Sequence, residues 1–309
     1  MSDAALRAVT PDDEVRHQPD GEELWNESYY LDFVDGDGRL GGYVRLGFYP
    51  NLQVAWWTTA LVRDDGPSII SAAYDLVAAP LPALHAEGSG VTVDLEVEQA
   101  LEAFRVMATA TGQAYEDPTS VYDHEEGRNV DLALDLRWTT DGTPYHYEVT
   151  TRYEIPCLVS GTVTVDGEVF SIEGQGQRDH SWGVRDWWAF GWCWLAARLD
   201  DGTRLHAADI RMPGMPIAFG YVQGPGRPVE RVTELEVDEV LGRAGLPVEG
   251  FMKLEPGGFD VAISPEAFGP LLLTSSDGRV SRFPRAMARF TTDDGRTGMG
   301  WIEWNQPQP

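Results

Sequence analysis

The sequence predicts an all-β protein built from two antiparallel β-barrel or sandwich units packed together, and three observations predict it. Turn signals recur at Asp35-Gly-Asp-Gly38, Asp64-Asp-Gly-Pro67, Asp141-Gly142, Asp166-Gly167, Asp201-Gly202, Ser276-Asp-Gly278 and Asp293-Asp-Gly-Arg296. The runs between them are β-branched and aromatic, as in His146-Tyr-Glu-Val-Thr-Thr-Arg-Tyr153, and Asp-Gly between alternating runs is a strong hairpin signal. Finally, Pro156 and Gly161 interrupt the β pattern near the middle of 309 residues, leaving two halves each long enough for its own core.

Taken in order, residues 1–22 are polar and acidic and read as a flexible arm. Residues 23–155 form the first β unit. It opens with Leu24-Trp-Asn-Glu-Ser-Tyr-Tyr30 and continues through Gly41-Gly-Tyr-Val-Arg-Leu-Gly47 and Tyr49-Pro-Asn51. Residues 96–109 and 233–245 carry Leu, Glu and Ala at helix-compatible spacing. The first of these is read as extended, because Val91-Thr-Val-Asp-Leu-Glu-Val-Glu98 alternates cleanly into it. Residues 156–309 form the second β unit, ending in Gly298-Met-Gly-Trp-Ile-Glu-Trp-Asn305.

The second unit holds the densest chemistry, in Gly174-Gln-Gly-Gln-Arg-Asp-His-Ser-Trp-Gly-Val-Arg-Asp-Trp-Trp188 and the residues that follow. An acid–imidazole pair (Asp179, His180) sits there between two arginines (Arg178, Arg185), near Trp182, Trp187, Trp188, Trp192 and Trp194. Charged groups among so many indoles need partners, and such mixtures mark candidate sites. Beyond Trp187, the residues Trp188, Phe190, Trp192, Trp194 and Ala196 share one parity. Ala189, Gly191, Cys193, Leu195 and Ala197 share the other, which predicts a strand with one aromatic face. That face can be a packed core or the wall of an apolar ligand site.

Composition excludes several functions. Fifty acidic residues face twenty-three Lys and Arg, for a formal charge of -27, and Lys253 is the only lysine. Such a surface repels phosphate backbones and anionic membranes, so neither nucleic acid nor stable membrane insertion is expected. Cys157 and Cys193 are too few for a disulfide framework, and the N-terminus lacks the layout of a signal peptide, so a cytoplasmic protein is expected. The sequence does not set the oligomeric state.

Several standard mechanisms fall away. Gly174-Gln-Gly176 lacks the third glycine and the βαβ setting of a dinucleotide loop, and Ser181 has no nucleophile-elbow context. The six histidines show no metal-ligand spacing, although His180, His206 and Asp209 can meet in space. No metal or cofactor is expected.

Asp179-His-Ser-Trp-Gly183, between a Gly-rich strand and an aromatic one, resembles the Asp-His-x-Trp-Gly motif of the carotenoid hydratase (hydroxyneurosporene synthase) superfamily, which includes tocopherol cyclase-like proteins. The longer Arg178-Asp-His-Ser-Trp-Gly-x-Arg-Asp-Trp187 pattern, with the Trp-Asn-Glu-Ser and Trp-Ile-Glu-Trp-Asn segments, looks like an uncharacterised branch of it. The resemblance implies two lipocalin-like β units sharing a hydrophobic pocket. It places the family's functional His and Trp at His180 and Trp182, and its downstream catalytic Asp at Asp209. A tyrosine that precedes that Asp by two residues in the hydratases is Ala207 here, a departure that weakens carotenoid hydration in particular.

The chemistry expected is protonation of a hydrophobic, isoprenoid-like alkene, followed by hydration, cyclisation or isomerisation. A buried carboxyl with a raised pKa supplies the proton, and indole faces steady the cation. Asp209, His180 and Asp179 are the catalytic candidates. Trp182, Trp188, Phe190, Trp192, Trp194 and His206 are the binding candidates, while Arg178, Arg185 and Arg211 are read as partners of carboxylates. A non-catalytic carrier of a hydrophobic molecule and a cofactor-free pericyclase are the alternatives, and whether the acids face the pocket decides among them.

Overall fold

The computed structural model describes residues 7–148, 150–215, 217–255 and 258–309. The first sheet begins with β1 (Trp25–Asp35), β2 (Leu40–Tyr49), β3 (Val54–Arg63), β4 (Ser68–Ala78), β5 (His85–Gly88) and β6 (Val91–Gln99). It continues with β7 (Ala103–Tyr115), β8 (Arg128–Thr140), β9 (Tyr145–His146), β10 (Arg152–Val165) and β11 (Glu168–Val184). Pairing of β11 with both β10 and β1 closes this antiparallel sheet on itself.

The second sheet starts with β12 (Gly191–Leu199), β13 (Arg204–Arg211), β14 (Ile217–Gln223), β15 (Glu230–Arg231), β16 (Glu234–Leu241) and β17 (Pro247–Glu255). After β18 (Phe259–Phe268) come a side hairpin, β19 (Leu271–Thr274) and β20 (Val280–Phe283), then β21 (Arg285–Thr292) and β22 (Thr297–Pro307). Its order is β15-β14-β13-β12-β22-β21-β18-β17-β16, again antiparallel. The architecture is therefore all-β, two lipocalin-like units packed together.

The turn chemistry explains many of these hairpins. Asp166 and Gly167, with φ of 49° and 84°, make the tight β10–β11 reversal, a conformation that asparaginyl-type residues and glycine tolerate best. Asp35–Gly38, Asp201-Gly202, Ser276–Gly278 and Asp293–Arg296 likewise fall between consecutive paired strands. The helix-compatible segments are mainly strand: 96–109 spans the β6–β7 hairpin, and 233–245 contains β16 before a 3-10 turn at Arg243–Gly245, because the sheets offer the strand residues cross-strand partners.

Two features differ in position from the sequence reading. The division at 155/156 falls inside β10, and the chain leaves the first sheet after Val184, so the Asp-His-Ser-Trp-Gly motif belongs to the first sheet. The reason is the hairpin at Asp166-Gly167, which returns β11 along β10 over fourteen paired positions. The acidic segment is also not a loose arm. Met1–Leu6 lie outside the described residues, but a short 3-10 turn at Pro11–Glu14 packs against the first barrel with Asp13 and Glu14 buried.

Strand alternation sorts the interior into three apolar layers. In β1, Tyr29, Leu31 and Phe33 point into the first barrel, while Tyr30 and Val34 point towards the second sheet. In β12, Trp192, Trp194 and Ala196 meet them between the sheets, and Cys193, Leu195 and Ala197 fill the second sheet's own core. No helix among the described residues is long and apolar enough to cross a membrane.

Candidate active site

Between the two sheets lies a cavity of about 280 Å³, near the lower end of ordinary small-molecule sites. Its apolar wall includes Tyr30, Tyr147, Trp187, Phe190, Trp192, Trp194 and Phe219. Its ionisable lining is four arginines, Arg45, Arg152, Arg185 and Arg285, and three acids, Asp179, Asp186 and Glu303. The Tyr30 hydroxyl is buried with no hydrogen-bond partner among the described residues.

The centre of this lining follows from strand register. Glu154 in β10 stands directly opposite Asp179 in β11, and Arg152 opposite Ser181. Side chains two apart on a strand share a face, so Arg152 and Glu154 lie beside Asp179 on the cavity side. Arg152 donates from Nε to Glu154 Oε1 and from Nη2 to Asp179 Oδ2, both at 2.7 Å. One guanidinium thus serves two buried carboxylates.

The surroundings decide which carboxylate keeps the charge. Glu154 is wholly buried and also accepts from Gln177 Nε2 at 2.8 Å and Trp194 Nε1 at 3.0 Å, with the Tyr147 hydroxyl oxygen 3.2 Å away. Burial pushes its pKa up, but Arg152 and the donors from Trp194 and Gln177 oppose that, and it is held below the usual value. Asp179 has Arg152 alone as its hydrogen-bond donor among the described residues. Burial pushes its carboxyl up to about 8, with Arg152 opposing and the Glu154 charge adding to the rise. Asp179 is therefore the member of the pair that binds a proton more readily, and its carboxyl faces the cavity.

His206 supports this centre from behind. Its Nδ1 donates to the Leu195 carbonyl at 2.8 Å, which leaves Nε2 to accept from the Tyr147 hydroxyl at 2.7 Å. Burial lowers its pKa, so the ring is neutral. Arg285 and Glu303 form a second buried ion pair on the cavity wall, with Nε 2.7 Å from Oε2 in a geometry that is not an aligned hydrogen bond.

Several expected residues lie elsewhere. Alternation along β11 that turns Asp179 and Ser181 to the cavity turns Arg178, His180 and Trp182 into the first barrel. There His180 Nε2 donates to Glu27 Oε1 at 2.9 Å, its Nδ1 lies 2.9 Å from the Asp13 carbonyl, and its ring stacks on Tyr29. Trp182 stacks on His17, and Arg178 donates to Glu14 Oε1 at 2.6 Å. Asp209 does not reach the cavity, because its neighbours Ala208 and Ile210 line it and β13 alternates. Asp209 instead accepts from Arg211 at 2.9 Å, and Arg211 also binds Glu239.

Trp188 is outside the cavity as well. It precedes β12, so strand parity does not govern it, and its Nε1 donates to the Leu273 carbonyl at 3.2 Å. Phe190, Trp192 and Trp194 do line the cavity. Arg185 also lines it and forms no close ion pair among the described residues, although the Asp179 charge favours its own. His180, His206 and Asp209 do not meet. Instead His17, Glu27 and His180 bring donor atoms within 4.8 Å of one another. Those donors already bond each other, with Glu27 Oε1 accepting from His17 Nδ1 at 2.7 Å as well as from His180.

Sequence reasoning missed Arg152, Glu154, Tyr147, Arg45, Arg285 and Glu303. A signal was present for one pair: Arg152 and Glu154 share a parity in an otherwise apolar run, a pattern that requires a buried partner. Nothing local marks the others, whose shared cavity arises from packing two sheets.

A family model described as Domain of unknown function (DUF7064) matches residues 10–308, and the chain belongs to that family. No match was found among curated proteins. Among solved structures, a Nitrosomonas europaea protein given the name AttH is 18% identical over 96% of each chain, with a TM-score of 0.67. Kievitone hydratase from Nectria haematococca is 12% identical over 98% of this chain and 94% of its own, with a TM-score of 0.65. CghA is 11% identical over 93% and 88%, with a TM-score of 0.54. At these identities the likeness is one of fold.

Proposed function

We propose that this member of the DUF7064 family is an enzyme that protonates a carbon–carbon double bond of a hydrophobic substrate, with Asp179 as the general acid. The observation that carries the reading is a buried, cavity-facing carboxyl opposite Glu154, whose pKa burial and the adjacent Glu154 charge push up. An acid of that strength suits proton transfer near neutral pH. Trp192 and Trp194 present electron-rich rings to the cation that protonation creates.

The cation then has three fates. Water capture gives an alcohol, capture by a second alkene gives a ring, and proton loss gives an isomer. Hydration of an isoprenoid-like alkene is the reading favoured here, and the name of kievitone hydratase, whose fold this chain shares, supports addition of water. Ionised Asp179 is the base that recovers a proton when the cycle closes, and Arg152 holds its Oδ2 in place throughout.

The test is turnover of a panel of hydrophobic alkenes in deuterium oxide. The expected result is product with deuterium bonded to carbon, and none from Asp179→Asn. Product lacking carbon-bound deuterium would establish a pericyclic reaction instead, and saturable binding of the panel without product would establish a carrier.

A further inference from the structure

The cavity contains more cationic groups than its own acids neutralise. Each acid on its wall is already engaged: Asp179 with Arg152, Glu303 with Arg285, and Asp186 with Arg279 at 2.9 Å. Arg152 and Arg285 are thereby accounted for, as are the buried Arg178 with Glu14 and Arg204 with Asp141. Arg45 and Arg185 are not. Neither forms a close ion pair among the described residues, although the Asp179 charge favours that of Arg185, and both line the cavity.

Arg45 is 4% exposed, and among the described residues it makes one side-chain hydrogen bond, from Nη2 to the Tyr49 hydroxyl at 3.3 Å. That hydroxyl also accepts from Trp187 Nε1 at 3.0 Å. The Arg45 and Arg185 guanidinium carbons lie 4.9 and 5.1 Å from the centre of the Trp187 ring, so the two cations share one aromatic platform. Gly47, two residues along β2 and on the same face, makes room for the first of them. A Cβ there would approach both Arg45 terminal nitrogens to 2.7 Å. Arg45 is buried and Arg185 half-buried, each without a close anion, which is costly, and the two charges repel. A built site of this kind is complete only when an anion enters it.

We propose that Arg45 and Arg185 form an anion subsite that receives a carboxylate carried by the substrate. The inference rests on the cavity being a substrate site and adds to that reading the class of molecule bound, an amphipathic acid with its apolar part against Trp192, Trp194 and Phe190. A guanidinium pair suits a planar carboxylate because each can offer parallel N–H donors to its oxygens. The same contact fixes which end of the substrate faces Asp179, and so which carbon receives the proton.

The test compares two probes that differ only in charge, 4-phenylbutanoate and 4-phenylbutanamide, by isothermal titration calorimetry on the full chain. The expected result is at least about tenfold tighter binding of the carboxylate, as charge-assisted bonds in a buried site require. That preference should fall to within about twofold in Arg185→Gln and Arg45→Gln, with the amide affinity held. Arg185→Gln, in the connection after β11, keeps the test open if Arg45→Gln does not fold. Gly47→Ala should reduce the preference by displacing Arg45. Equal affinities for the two probes in the wild-type protein would overturn the anion subsite and leave the cavity reading standing, whereas binding of neither would overturn both.

Discussion

Glu154 and Asp179 are cross-strand partners, two buried carboxylates facing each other across β10 and β11 with one arginine between them. Like charges directly opposite on adjacent strands destabilise a sheet. Here the conflict is resolved by unequal surroundings: Glu154 collects donors from Trp194 and Gln177, while burial pushes the Asp179 carboxyl up. The pairing turns a structural liability into an acid directed at the cavity.

Turnover should depend on that proton. Asp179→Asn keeps the size of the side chain and its contact with Arg152 but removes the acidic proton. Activity should fall by about 10²–10⁴-fold while ligand binding survives. In the wild-type protein kcat/KM should be flat below about pH 8 and fall tenfold per pH unit above it, because the active form is the protonated one. A pH–rate profile of the free enzyme checks both.

The charge on Glu154 should maintain the proton on Asp179. Glu154→Gln leaves Arg152 with one carboxylate, so the Asp179 pKa should move down. Titration of the Asp179 carboxyl carbon by NMR reads that shift, and an unchanged midpoint would show that burial alone raises it.

Stability should also register the raised pKa. A carboxyl whose folded pKa exceeds its unfolded value binds its proton more tightly in the native state, so it favours folding at low pH. This contribution declines as pH rises from the unfolded value of about 3.8 to the folded value of about 8. Glu154, held low, acts in the opposite sense and below that window. Urea unfolding between pH 5 and 8 should therefore show a decline for the wild-type protein that is shallower in Asp179→Asn.

The acidic N-terminal segment should clamp the first barrel. Glu14 accepts from Arg178 at 2.6 Å and from the Tyr153 hydroxyl at 2.5 Å, all in the barrel interior. Glu14→Ala leaves the Arg178 charge buried and unpaired, at a cost of about 3–5 kcal/mol. The double variant Glu14→Ala with Arg178→Met should recover part of that loss, measured by denaturant unfolding.

Asp209→Asn should leave turnover within about twofold of wild type and change stability by no more than about 1 kcal/mol, as for a partly exposed ion pair. Retained activity in this variant, set beside its loss in Asp179→Asn, would assign the acid to β11 and not to β13.

The sequence made the β architecture legible because Asp-Gly turns and alternation are local signals. It also located β11 and the aromatic face of β12. What it could not supply is which face of each strand meets which sheet. His180 and Asp179 are neighbours in sequence, yet one points into a barrel and the other into the cavity between sheets. The parity of β11 relative to β12 depends on packing 309 residues, not on the motif. The same holds for Arg45, whose lack of a close carboxylate among the described residues is visible only once β2 lies against Trp187.

The most direct test of the central claim needs no substrate. Infrared difference spectra of the native protein minus Asp179→Asn isolate the carboxyl stretch of this one residue. At pH 6 the account predicts a protonated-carboxyl band that disappears on titration with a midpoint near 8. An ionised-carboxylate band at pH 6, unchanged to pH 9, would contradict it and remove Asp179 from the role of acid.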